Sequence, residues 1–85
     1  MTRKLVILDR REYQSVPLEN RLKEHREKLG INQQDMGALV GVSRQTISQI
    51  ERGGYAPSVA LALKLAKVCG VTVEDIFWYE EDEKE

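Results

Sequence analysis

Only two residues, Gly41 and Val42, separate one helical run from the serine that can begin the next. Before them, Asn32 can cap a helix running from Gln33 to about Val40, with Asp35 near its positive end and Met36, Leu39 and Val40 apolar. After them, Ser43 can cap a helix running to about Arg52 that buries Ile47 and Ile50 and is stopped by Gly53-Gly54. A connection this short forces the two helices to cross steeply. Gly41 can supply the positive φ that the turn requires, and Val42 can plug the angle between the helices. Arg44, Gln45 and Thr46 then begin the second helix, and what they face decides what the chain does.

The other segments supply the scaffold for this corner. Leu18, Leu22, His25 and Leu29 share one face of a first helix that starts at Leu18 and ends at Gly30. Pro57-Ser58 opens a fourth helix, VALALKLAKVC, whose Ala and Leu content favours the helical state. Gly70 ends it, and Thr72 can cap a short fifth helix, VEDIF, with Glu74 and Asp75 in its first turn. The expected fold is all-α, a compact five-helix bundle with connections of two to five residues. Residues 1–17 stand apart. LVIL at 5–8 reads as a strand, and Val16-Pro17 marks a boundary because the residue before proline avoids the helical region. A lone strand is unstable, so LVIL and the aromatic cluster FWY at 77–79 are candidates for a small β element, pairing with each other or across a dimer. The expected organisation is an extension at 1–17, a core domain at 18–79 and an acidic tail at 80–85.

Eighty-five residues make one small domain, marginal alone and often steadied by association. The formal net charge of −1 argues against a nucleic-acid partner until it is divided along the chain. Residues 1–57 hold ten basic and seven acidic side chains, a surplus of three positive charges; residues 58–85 hold three and seven, a surplus of four negative ones. The positive charge sits with the two-helix corner. The single cysteine, Cys69, cannot form an internal disulfide, which fits a reducing cytoplasm, and its apolar setting reads as a small core residue. No apolar run is long enough to span a membrane, and LVIL is too short for a signal-peptide core.

Residues 33–52, QQDMGALVGVSRQTISQIER, resemble the helix-turn-helix of the phage-repressor and Cro-like family, the XRE-type regulators. That family places apolar residues where this chain has Met36, Val40, Val42, Ile47 and Ile50, a small residue at Gly37 and glycine at Gly41, and all seven positions fit. The resemblance extends from about Leu18 to Phe77 through SRQTISQIERG, PSVALALKLA and VTVEDIF. It implies a lambda-repressor-like bundle in which the helix from Ser43 to Arg52 enters the major groove of double-stranded DNA. Arg44, Gln45 and Thr46 then read bases, with Gln49 one turn on; arginine suits guanine and glutamine suits adenine. Gln33, Ser43, Arg52, Tyr55 and the backbone amides near Gly53-Gly54 are candidates for the DNA backbone, and Ser43 also for capping. Arg26 and Glu51 occupy the positions of a structural ion pair. Gly37 departs from the pattern, which more often has alanine there; glycine inside a helix costs about 1 kcal/mol relative to alanine.

The resemblance implies a DNA-binding transcriptional regulator, a repressor on an inverted-repeat operator, acting as a homodimer with recognition helices about 34 Å apart. The same fold also serves antitoxin-like protein-interaction modules, the alternative reading. Arg3, Lys4, Arg10 and Arg11 suit either a dimer strand's flanks or an arm along the minor groove. An enzyme is not expected. There is no nucleophile–base pair, no metal-ligand cluster around the single His25, and no glycine-rich phosphate loop, so no cofactor or metal is implied.

Overall fold

The computed structural model describes residues 18–79. The order of elements is β1 (Leu18–Asn20), α1 (Leu22–Leu29), α2 (Gln33–Val40), α3 (Arg44–Glu51), α4 (Val59–Cys69), α5 (Val73–Ile76) and β2 (Phe77–Tyr79). Polar caps set the helix starts. The side chains of Asn32, Ser43, Ser58 and Thr72 accept from the backbone amides of Asp35, Thr46, Leu61 and Asp75. Thr72 and Asp75 form a reciprocal capping box, and the hydrogen bonds from Thr72 hold the Asp75 carboxyl below its ordinary pKa. Gly41 carries the chain out of α2 at φ 83°, a conformation that glycine enters without a Cβ penalty.

Leu18–Asn20 is a strand, not the first turn of α1. Leu18 and Leu22 have helical spacing, but β1 is claimed by antiparallel pairing with β2, Leu18 opposite Tyr79, Glu19 opposite Trp78 and Asn20 opposite Phe77. Tertiary pairing has overridden local periodicity. FWY therefore does form the β element, with 18–20 as its partner; residues 5–8 lie outside the described residues. The ribbon is clamped to α1 by the Arg21 amide on the Ile76 carbonyl at 2.8 Å and by the Arg21 guanidinium 4.9 Å from the centre of the Trp78 ring.

The core is one cluster. Leu22 of α1, Met36 and Val40 of α2, Ile47 and Ile50 of α3, Leu61 and Leu65 of α4, Ile76 and Phe77 meet in it. Val42 packs against this cluster from the turn, and half-buried Cys69 lies at its edge, where burial pushes the thiol pKa up. Leu39 stays exposed, one residue off the inward face of α2. No described helix is long and apolar enough to cross a membrane.

Gly37 is needed where α2 crosses the start of α3. A Cβ there would lie 2.5 Å from the Val42 carbonyl oxygen and 3.2 Å from the Ser43 backbone. The glycine lets the backbones meet, and its carbonyl accepts both the Gly41 and the Val42 amides. Gly37→Ala should therefore destabilise the domain although alanine is the better helix former. The overlap outweighs the propensity gain by about 1–2 kcal/mol, so the thermal midpoint falls by roughly 5–10 °C. A rise in the midpoint would show that the crossing relaxes freely.

Candidate nucleic-acid interface

The outer face of α3 follows from its buried one. Ile47 and Ile50 point into the core, so side chains on the far side of the helix face outward. Arg44, Ser48 and Arg52 fall at steps of four and make one stripe, with Gln45 and Gln49 as the neighbouring row. Arg44, Gln45 and Arg52 are exposed, and Ser48 and Gln49 are half-buried. Ser48 is not among the residues singled out from the sequence. Its four-residue spacing from both arginines was the signal available. It puts a small hydroxyl between two cationic groups that can reach past it.

Thr46 lies off this stripe. It is half-buried, and its hydroxyl stands 3.1 Å from the Ser43 hydroxyl, which also accepts from the Thr46 amide at 3.1 Å. Ser43 is exposed and acts as the cap of α3. Tyr55 is exposed in the connection between α3 and α4. The amides near Gly53-Gly54 do not point outward for a phosphate. Gly53 N–H donates to the Ile50 carbonyl at 2.9 Å and Gly54 N–H to the Gln49 carbonyl at 2.9 Å, so they close the C-terminal end of α3.

Behind the face lies a polar hub. Arg26 Nε donates to Glu51 Oε2 at 2.6 Å and a terminal guanidinium nitrogen donates to Oε1 at 3.2 Å. The other terminal nitrogen donates to the Ile31 carbonyl at 3.0 Å. The Arg26 and Glu51 side chains are only 11% and 5% exposed. The Glu51 hydrogen bond and charge hold the guanidinium pKa above its ordinary value against burial. Gln33, the first residue of α2, donates from Nε2 to Glu51 Oε1 at 3.0 Å, so its amide is oriented by the same carboxylate. The Glu51 carboxylate is thereby paired with a cation. It presents no bare negative charge beside the basic stripe. His25 makes a 3.3 Å contact with the Asp75 carbonyl and belongs to the packing of α1 on α5. Among the described residues, no group of three or more His, Cys, Asp or Glu side chains could hold a metal ion.

A two-residue corner, a solvent-facing helix that begins at Arg44 and is capped by Arg52, and an ion-paired hub behind it match a known pattern. The helix-turn-helix family profile covers residues 22–76. The chain belongs to the helix-turn-helix family. It is 46% identical over 65 residues to the uncharacterized HTH-type transcriptional regulator YgzD of Bacillus subtilis, covering 76% of this chain and 98% of that one. It is 52% identical over 66 residues to an uncharacterized HTH-type transcriptional regulator of Methanocaldococcus jannaschii, covering 78% of this chain and all of the relative. Among solved structures it resembles the P22 c2 repressor in complex with a synthetic operator, at TM-score 0.61 and 36% identity over 62% of this chain and 80% of that one. It also resembles the restriction-modification controller protein C.AhdI of Aeromonas hydrophila, at TM-score 0.59 and 30% identity over 64% of this chain and 78% of that one. This helix-turn-helix protein is a DNA-binding transcriptional regulator of the XRE, Cro/C1 type, not an enzyme.

The hub should carry much of the stability of this helix-turn-helix. Glu51→Gln leaves the Arg26 charge buried without a counter-charge and should cost about 3 kcal/mol in urea unfolding. The double variant Arg26→Met/Glu51→Leu removes both charges and should recover most of that loss. A loss below about 0.5 kcal/mol in the single variant would mean that water reaches the guanidinium.

Proposed function

We propose that this protein is a sequence-specific repressor that binds an inverted-repeat operator as a homodimer. The observation that carries the reading is the α3 stripe: exposed Arg44, Gln45 and Arg52 on a helix whose other side is anchored in the core. Arg44 and Gln45 read base edges from the N-terminal end of α3, with Gln49 one turn on. Thr46 joins them chiefly through its methyl group, because its hydroxyl is engaged with Ser43. Ser43, Arg52, Tyr55 and Gln33 hold the DNA backbone. Residues 18–79 are the reading unit, residues 1–17 an extension and residues 80–85 an acidic tail. The protein works in the cytoplasm or nucleoid of a prokaryote, as the bacterial and archaeal sources of its relatives suggest. One helix covers only a few base pairs, so a dimer supplies the missing specificity. The operator-bound P22 c2 repressor among its structural neighbours supports the repressor reading.

Selection from a random duplex pool at fixed salt tests this, because phosphate contacts alone make affinity fall steeply with salt. Wild type should enrich an inverted repeat. The Arg44→Ala/Gln45→Ala variant should bind that repeat roughly a hundredfold more weakly while its non-specific affinity changes far less. Equal enrichment by both proteins, or a single half-site, would sink the base-reading or the dimeric part respectively.

A further inference from the structure

We infer that Asn20 is a positioning residue for the recognition helix: its carboxamide ties the backbone of the last turn of α3 to the ribbon outside the helix-turn-helix. The inference rests on α3 being the element that reads DNA. Asn20 Oδ1 accepts from the Leu22 amide at 3.0 Å, and Asn20 Nδ2 donates to the Ile50 carbonyl at 3.0 Å, thirty residues away. The partners fix the orientation of the amide. Leu22 N–H is a donor, so it must meet the oxygen; the Ile50 carbonyl is an acceptor, so it must meet the nitrogen. Aspartate can reproduce only the accepted bond, alanine neither, and serine has one hydroxyl oxygen in place of two separated atoms.

The reference point is firm. Asn20 is held in β1 opposite Phe77, and the next residue is fixed by the Arg21 amide on the Ile76 carbonyl and by the Trp78 ring. Asn20 therefore hands the position of β2 and α5 directly to α3. Arg26 acts on the same end of α3 through the Glu51 side chain, one set of torsions removed from the helix backbone. The Asn20 bond engages the main chain itself. It also adds a side-chain donor to a carbonyl at a helix C-terminus that backbone amides, Gly53 N–H among them, already engage.

Geometry sets the consequence for reading. Arg44 lies six residues from Ile50, about 9 Å along the axis at 1.5 Å per residue. A tilt of roughly 10° about the far end moves the Arg44 backbone by about 1.6 Å, enough to take a hydrogen bond out of its range of about 2.7–3.2 Å. Phosphate contacts from flexible cationic side chains tolerate such a shift far better than base contacts. Loss of the Asn20 bond should thus lower discrimination between sequences more than overall affinity for DNA.

The experiment compares wild type, Asn20→Asp and Asn20→Ser. Both substitutions keep an acceptor for the Leu22 amide; aspartate has no donor for Ile50 and adds a charge, whereas serine adds none and its single hydroxyl, on a shorter stem, stops short of the Ile50 carbonyl when it meets the Leu22 amide. Each protein is titrated with the operator selected by wild type and with a scrambled duplex of the same length, at one salt concentration and at a temperature where circular dichroism shows all three folded. The expected result is an operator-to-scrambled affinity ratio lowered about tenfold in both variants, with scrambled-duplex binding by Asn20→Ser within about twofold of wild type. A ratio unchanged in Asn20→Ser, or operator and scrambled affinities falling in parallel, would overturn the positioning role and leave Asn20 as a helix cap only. A wild-type protein that does not distinguish the duplexes would overturn the DNA-reading assignment, and the role of Asn20 with it, in the wild-type arm alone.

Discussion

Two charges taken almost wholly out of water, Arg26 and Glu51, decide how the other parts of this domain are arranged. A guanidinium in that position is tolerable only with a counter-charge and with its remaining donors used. The chain meets both demands through Glu51 and the Ile31 carbonyl, and Gln33 takes up further acceptor capacity on the carboxylate. The result joins α1, the α1–α2 connection, α2 and α3 at one place. No buried side-chain nitrogen or oxygen among the described residues lacks a partner. An apolar contact at the same spot would hold the helices together but would tolerate sliding. A fork of directed hydrogen bonds does not, which is why a polar hub is suited to fixing the angle of a reading helix.

That helix is gripped at both ends by different physics. At its start the restraint is close backbone contact: Gly37 lets α2 approach Val42 and Ser43, and its carbonyl holds the corner by accepting the Gly41 and Val42 amides. At its end the restraint is polar, through Asn20, Arg26 and the amides of the Gly53-Gly54 turn. Between the two, Ile47 and Ile50 seat it in the core. The outward side chains thus sit on an element with few ways to move, and the ordering cost of binding falls mainly on the side chains themselves.

Much of this was legible in the chain because the signals were local. The starts of α2 to α5 are written in Asn32, Ser43, Ser58 and Thr72, and the stops of α2 to α4 in the glycines that follow them, each acting within a few residues; the expected helix VEDIF instead stops at Ile76, because Phe77 is taken into the strand paired with Asn20. The strand at Leu18–Asn20 was not legible in this way. Its identity depends on residues nearly sixty positions away, while its own Leu18 and Leu22 spell a helix. Gly53-Gly54 suggested free amides, but their use depends on how the end of α3 curls back. Ser48 was hidden by its plainness, since only the burial of Ile47 and Ile50 shows which face it occupies. The organisation assigned to residues 1–17 and 80–85 falls outside the described residues.

The antiparallel pairing of Leu18 with Tyr79 places the entry and the exit of the domain side by side. Anything attached before Leu18 or after Tyr79 pulls on the same end of the ribbon. A load between the two attachments would therefore act as on a zipper, opening one residue pair at a time, beginning with Leu18–Tyr79 and ending with Asn20–Phe77. Only at that last tooth would the strain reach the amide that holds Ile50. Two residue pairs of the ribbon thus stand between the chain ends and the residue whose amide holds α3.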